Sequence, residues 1–381
     1  MDFTFSEDQK MLREMVRDFT NKEIKPIAQK MDKEEHIPDS LKKKLAENGL
    51  MGTAFPEEYG GGGFGEVGYC IAQEEIVRGC CSTAAFIGAH QSIGANAIYL
   101  GGSNELKQKY LPSLTTGEKI AAFALTEAGA GSDAFNLKTK ADFKDGKWII
   151  NGEKIWITNA ASADIFSVFA RTEKGITGFV VEKDFPGVSI GPNEKKLGIK
   201  ASVTNTINFD NVEVPAENII GVDGRGFLIA MKTLDAGRLG IGASAVGAAK
   251  ELLELSAQFA NQRKQFDQPI SKFQAVQFML AEMATLIYAM ESMLYRTAFK
   301  YDKGEDVTQE AAMVKLYCSE AVSEVADKAL QIHGGMGFSA ELPIERFYRD
   351  ARILRIFEGT SEIQKLVISR KTIKSNGKWS V

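Results

Sequence analysis

The sequence predicts an α+β chain laid out as helices, then strands, then a bundle of long helices. Three observations carry that reading. Apolar residues recur at helical spacing near the start (Met11, Met15, Val16, Phe19). From about Lys119 to Phe227 short β-rich runs replace them, with no long helical period between. From Gly226 onward long amphipathic stretches return. The expected division is an N-terminal helical domain (1–117), a middle β domain of barrel or sandwich type (118–227) and a C-terminal four-helix bundle (228–381).

Taken in order, residues 7–32 read as one helix, followed by helices over 40–48 and 72–99. The intervening Phe55-Pro56-Glu57-Glu58-Tyr59-Gly60-Gly61-Gly62-Gly63-Phe64-Gly65 formally matches a dinucleotide fingerprint. No strand precedes it, so it reads as a flexible surface loop. Asp145-Gly146 and Asn151-Gly152 both read as hairpin turns, and further strands are expected at 165–172, 177–182 and 205–209. Long helices are expected over about 227–259, 273–301 and 307–332. Thr360 and Ser361 read as the N-cap of a last helix, 363–374. Gly237, Gly240, Gly242 and Gly247 on the first long helix permit close backbone approach, chiefly to other helices.

Composition excludes several functions. The 381 residues are 44% hydrophobic and 25% charged with net charge −4, which gives no reason to expect nucleic acid or an anionic membrane as partner. No apolar run approaches the roughly 20 residues of a membrane span. Met1-Asp2-Phe3-Thr4-Phe5-Ser6 lacks the pattern of a signal or transit segment. Cys70, Cys80, Cys81 and Cys318 form no disulfide framework, and His36, His90 and His333 lie too far apart for a metal-binding helix motif. The expectation is a reduced, cytoplasmic protein without catalytic metal.

The chemistry-bearing stretches are each ambiguous alone. Phe123 to Asp133 is a small-residue loop whose bare amides, with Thr126 and Ser132, suit a phosphate or a flavin edge, or simply a turn. Trp156 ends a strand and could stack on a cofactor or pack in a core. Asp235 and Arg238 stand three apart on one helix face, as an ion pair would. Arg263 is a solvated charge or a diphosphate clamp. Gln331-Ile332-His333-Gly334-Gly335-Met336-Gly337 ends a helix with more glycine than a cap needs, which suggests something flat or phosphorylated. Glu358, between apolar Phe357 and Gly359, is a helix-capping residue or a carboxylate shielded from water. Shielding would make it a stronger base, and Gly359 leaves the backbone open to a substrate.

In their joint order these stretches resemble the acyl-CoA dehydrogenase family over nearly the whole chain, most specifically in 125–133 and 331–362, including Glu341, Arg346 and Asp350. The short-chain (butyryl) and short branched-chain members are the most similar. The resemblance implies an FAD-dependent enzyme that converts a short-chain, branched or alicyclic acyl-CoA to the 2-enoyl-CoA, with an electron-transferring flavoprotein as oxidant and a homotetrameric assembly. It assigns FAD contacts to Phe123, Leu125, Thr126, Ser132, Trp156, Ile157, Thr158, Thr360 and Glu362. Arg263, Phe266, Gln274, Gln331, Gly334 and Gly335 match positions that meet the FAD of a neighbouring subunit. Ser132, Asp235, Arg238 and Gly359 match substrate-binding positions, and Glu358 matches the catalytic base. Relatives that carry the base on the first long helix have glutamate where this chain has Gly237.

The chain departs from the family pattern at Ala128, Asn136, Asp267 and Phe357, beside the expected contacts. Two rival readings are an oxidase or flavin hydroxylase of the same architecture and a non-catalytic acyl-CoA-binding protein.

Overall fold

In the computed structural model, which describes residues 4–378, the chain follows the α, β, α order. The N-terminal helices are α1 (Glu7–Phe19), α2 (Ala28–Glu34), α3 (Asp39–Glu47), α4 (Gly65–Val77), α5 (Cys81–Gly88), α6 (Asn96–Gly101) and α7 (Asn104–Thr115). The helix expected over 7–32 is broken, because Pro26 has no N–H to give. The chain there passes through a π turn (Thr20–Ile24) and a 3-10 turn (Lys25–Ile27) before α2 begins. The expected 72–99 helix likewise divides into α4, α5, a π turn (Ala89–Ala95) and α6. The glycine-rich 55–65 segment is a loop, but a pinned one. Phe55 and Tyr59 are buried, and the amides of Gly61, Gly62 and Gly63 donate to the Pro56, Gly52 and Phe55 carbonyls.

The middle region forms one mixed sheet. Its strands are β1 (Ala121–Ala124), β2 (Lys140–Lys144), β3 (Lys147–Thr158), β4 (Ile165–Thr172), β5 (Gly175–Glu182), β6 (Val188–Ile190), β7 (Thr204–Pro215) and β8 (Ile219–Ile220). They order as β6-β7-β3-β2-β4-β5-β8, with β1 parallel to β4. Asp145-Gly146 is a hairpin turn as expected, both residues at positive φ. Asn151-Gly152 is not. It lies inside β3, where the register against β7 shifts, and Gly152 sits so close to Thr139 that a Cβ would fall 2.6 Å from its hydroxyl.

The C-terminal region is built on α8 (Gly226–Gln262), α9 (Gln274–Asp302) and α10 (Thr308–His333), completed by α13 (Ser361–Lys374) as the fourth helix. Strands β9 (Lys264–Gln265) and β10 (Gln268–Pro269) form a small hairpin between α8 and α9. The short helices α11 (Gly335–Phe338) and α12 (Ile344–Ala351) lead from α10 to the corner before α13. Three of the four singled-out glycines on α8 serve packing. A Cβ would strike Tyr69 at Gly240, Val314 at Gly242 and the Glu74 carbonyl at Gly247. Gly237 is different.

Candidate functional site

Glu358 projects over Gly237. A Cβ at position 237 would lie 2.0 Å from Glu358 Oε2 and 2.9 Å from Ile93 Cγ2. The carboxylate thus rests on bare α8 backbone, with its oxygen Oε2 enclosed and without a hydrogen-bond partner. Burial pushes its pKa up to about 7, opposed by the positive charges of Lys315 and Arg238. An unpaired carboxylate that titrates near neutrality suits proton abstraction.

The backbone beneath it is held hard. Glu358 has φ 52° and Gly359 φ 95°, a left-handed corner that strains a glutamate and needs external support. Gln364, wholly buried, donates Nε2 to the Glu358 carbonyl at 3.2 Å and to the Gly359 carbonyl at 2.9 Å. Lys315 on α10, also wholly buried, donates Nζ to the Gly359 carbonyl at 2.6 Å. One turn further on, Glu320 accepts from Arg355 and Ser361, clasping both flanks of the corner. Thr360 caps α13 through its side chain, as expected.

The loop after β1 is fixed by a second buried lysine. Lys154 Nζ donates to the Leu125 carbonyl at 3.0 Å and pairs with Glu127 Oε1 at 2.8 Å. Glu127 in turn accepts from the Lys138 and Thr139 amides, and Ile155 N donates to the Thr126 carbonyl. Leu125 is buried, Phe123 and Thr126 half-buried and Ser132 exposed. The β3 register against β7 shifts again between Lys154 and Ile157. Trp156 sits in that shift at φ 59°, which turns its ring outward to 57% exposure, while Ile157 is buried and Thr158 half-buried. Lysine, glutamate and bulge together present a fixed loop and an outward aromatic face.

Ile93 and Gly94 join the two corners, Ile93 beside Gly237 and Gly94 packed on Ala121 of β1. Asp235 and Arg238 are buried as an ion pair at 2.6 Å, with Thr308 donating to the other Asp235 oxygen. Arg238 Nε has no partner, and its charge acts on Glu358. Glu362 is exposed on the first turn of α13.

The remaining expected contacts lie elsewhere. Arg263, Phe266 and Gln274 are all exposed around the β9–β10 hairpin, Phe266 at 87%. Phe266 and Asp267 both have positive φ, a turn that aspartate tolerates where glycine is usual. Gln331, Gly334 and Gly335 are exposed at the end of α10, where His333 stacks on Phe259 of α8 with centroids 4.5 Å apart. Along α8, Phe259 lies about 33 Å from Gly237. The chain therefore holds two separate groups of expected contacts, one at Glu358 and one at the far end of α8. Of the other departures, Asn136 donates to Asp133 at 2.5 Å, Ala128 is exposed and Phe357 half-buried beside Glu358.

Sequence reading missed Lys154, Glu127, Lys315 and Gln364. The lysines had a legible sign. Lys154 keeps the inward register of Trp148 and Ile150, and Lys315 falls in the apolar stripe of Ala311, Ala312, Val314 and Cys318.

Comparison with known proteins bears on all three regions. Residues 6–118 match "Acyl-CoA dehydrogenase, N-terminal domain", residues 122–212 the middle domain and residues 224–373 the C-terminal domain. A short-chain specific acyl-CoA dehydrogenase of Clostridium acetobutylicum is 44% identical over 379 residues, 98% of this chain and 100% of the relative. The butyryl-CoA dehydrogenase structure from Megasphaera elsdenii superposes with TM-score 0.96 at 39% identity, covering 98% of this chain and 100% of that one. A chain in a structure described as "Electron transferring flavoprotein of Acidaminococcus fermentans: Towards a mechanism of flavin-based electron bifurcation" matches with TM-score 0.96 at 41% identity, covering 98% and 100%.

Proposed function

The chain belongs to the acyl-CoA dehydrogenase family, and from that premise we propose that it removes two hydrogens from a short-chain acyl-CoA, with Glu358 as the base. The observation that carries the proposal is the enclosed, unpaired Glu358 carboxylate above Gly237. Members of this family use FAD. The residues present suit such a group. Trp156 offers an outward ring, the loop from Phe123 to Ser132 is fixed, and Gly334 and Gly335 leave bare backbone with nothing within 4 Å of a Cβ position.

Phe123, Leu125, Thr126, Ser132, Trp156, Ile157, Thr158, Thr360 and Glu362 would hold FAD from one protomer. Held there, FAD would supply the hydride acceptor for the β-hydrogen. Glu358 removes the α-proton, and its backbone amide donates to the thioester carbonyl, which acidifies that proton. Ser132 and Gly359 contact the acyl-CoA. Asp235 and Arg238, although buried, line its approach, and the Arg238 end of the pair faces the base. A straight four-carbon acyl or a short branched one is the favoured substrate, in keeping with the Clostridium and Megasphaera relatives. The Acidaminococcus match supports an electron-transferring flavoprotein as oxidant.

The second group of contacts belongs to a neighbouring protomer in a homotetramer. A separation of about 33 Å exceeds the reach of a single dinucleotide. Exposed Phe266, Phe278, Tyr288 and Phe338 offer apolar surface for the assembly.

Anaerobic mixing with butyryl-CoA tests the reading. The wild-type flavin should bleach, and Glu358→Gln should bind FAD normally yet reduce it at least about a hundredfold more slowly. Near-normal reduction in the variant would overturn the assignment.

A further inference from the structure

Lys315 has an unusual situation for a lysine. It is wholly buried on α10, its one hydrogen bond is to the Gly359 carbonyl, and no carboxylate lies within ion-pair distance among the described residues. A buried ammonium with no carboxylate in ion-pair contact is costly, and its field reaches the carboxylate of Glu358. The carbonyl it grips belongs to the residue after Glu358, in a corner where both residues have positive φ. We propose that Lys315 is a positioning residue for Glu358: it holds the strained corner through Gly359, and its uncompensated charge favours the ionised carboxylate.

This rests on reading Glu358 as the base. The surrounding charges fit. Arg238 on α8 and Lys315 on α10 both favour ionised Glu358. Arg238 is already committed to Asp235, which Thr308 also contacts, so Lys315 is the less neutralised of the two. Tyr69 on α4 faces the same space as a neutral phenol, burial raising its pKa well above the ordinary value. From α13, Glu362 faces Lys315, as does Glu320 on α10, but Glu320 is engaged by Arg355 and Ser361. His90, on the segment carrying Ile93, is occupied by the Leu114 carbonyl and the Ala121 amide and stays neutral. Burial lowers the Lys315 ammonium to about 8, with Glu358 opposing the fall, so near neutrality each group supports the charged form of the other.

Infrared pH titration of the FAD-loaded enzyme tests this without turnover. The carboxylic acid stretch of Glu358, assigned by its loss in Glu358→Gln, is followed in wild type, Lys315→Met, Lys315→Gln and Lys315→Arg. The midpoint should rise by about one pH unit in both neutral variants and by no more than a few tenths in Lys315→Arg. Flavin reduction by butyryl-CoA should show its acid limb displaced by the same amount, with the rate largely recovered at high pH. Lys315→Gln keeps the test open if Lys315→Met fails to fold. An unmoved midpoint in the neutral variants, with rates lowered equally at every pH, would mean a purely structural lysine and overturn the proposal. Normal flavin reduction in Glu358→Gln would sink the base assignment alone, since the titration reads the coupling independently.

Discussion

Two buried lysines hold the two corners of the site, and they differ in what answers their charge. Lys154 and Lys315 are both wholly enclosed, and each donates to a loop carbonyl, Leu125 in one case and Gly359 in the other. Lys154 also has Glu127 at 2.8 Å, itself held by two amides. Lys315 has no such partner, and the nearby Glu358 stands unpaired. A closed pair fixes a loop and leaves little field beyond it. An open pair leaves a field in place, which a reacting carboxylate can use.

The sharpest way to break that contrast is Lys154→Met. It strands the buried Glu127 without its cation and should cost about 3–5 kcal/mol by urea unfolding, with FAD occupancy falling as the loop loosens. A loss under about 1 kcal/mol would show that the closed pair is not what fixes the loop.

Glu358→Gln should act on stability in the opposite direction. Burial raises the native pKa from an ordinary 4.5 to about 7, so the folded state holds this proton more tightly than the unfolded chain does. The penalty for burying the charge is therefore absent below the ordinary pKa, grows as pH rises between the two values and is complete above the native one. The FAD-free variant should match wild type at about pH 4 and gain up to about 3 kcal/mol at pH 8. Equal stability at both pH values would place the carboxylate in water rather than in the interior.

The smallest effect is expected for Lys315→Met, within about 1 kcal/mol. Gln364 still serves the Gly359 carbonyl, and Glu358 can take up a proton. A loss as large as that of Lys154→Met would erase the distinction between the corners.

Much of this was legible in the sequence because the long helices are governed locally. The 3.6-residue period located α8, α9 and α10 within about three residues at each end. The errors arose where distant chain decides. Asn151-Gly152 has a turn's composition, but the backbone continues because β7 pairs with it from some sixty residues away, Asn211 meeting Asn151. Strand β1, Ala-Ala-Phe-Ala, has only Phe123 to favour a strand and forms by pairing with β4. Glu358 was singled out by its sequence neighbours together with the family resemblance, whereas Lys315 lies 43 positions earlier and meets it only through the packing of α10 against the corner.

The contact between Glu358 and Gly237 also constrains how this enzyme could change. A side chain at 237 would occupy the space of the Glu358 carboxylate. With Glu358 as the proposed base, a lineage that moved that function onto α8 would pass either through a form with no base or through one with two carboxylates crowding a single place. On the proposed assignment both intermediates would be impaired, so single substitutions could not gradually move the base.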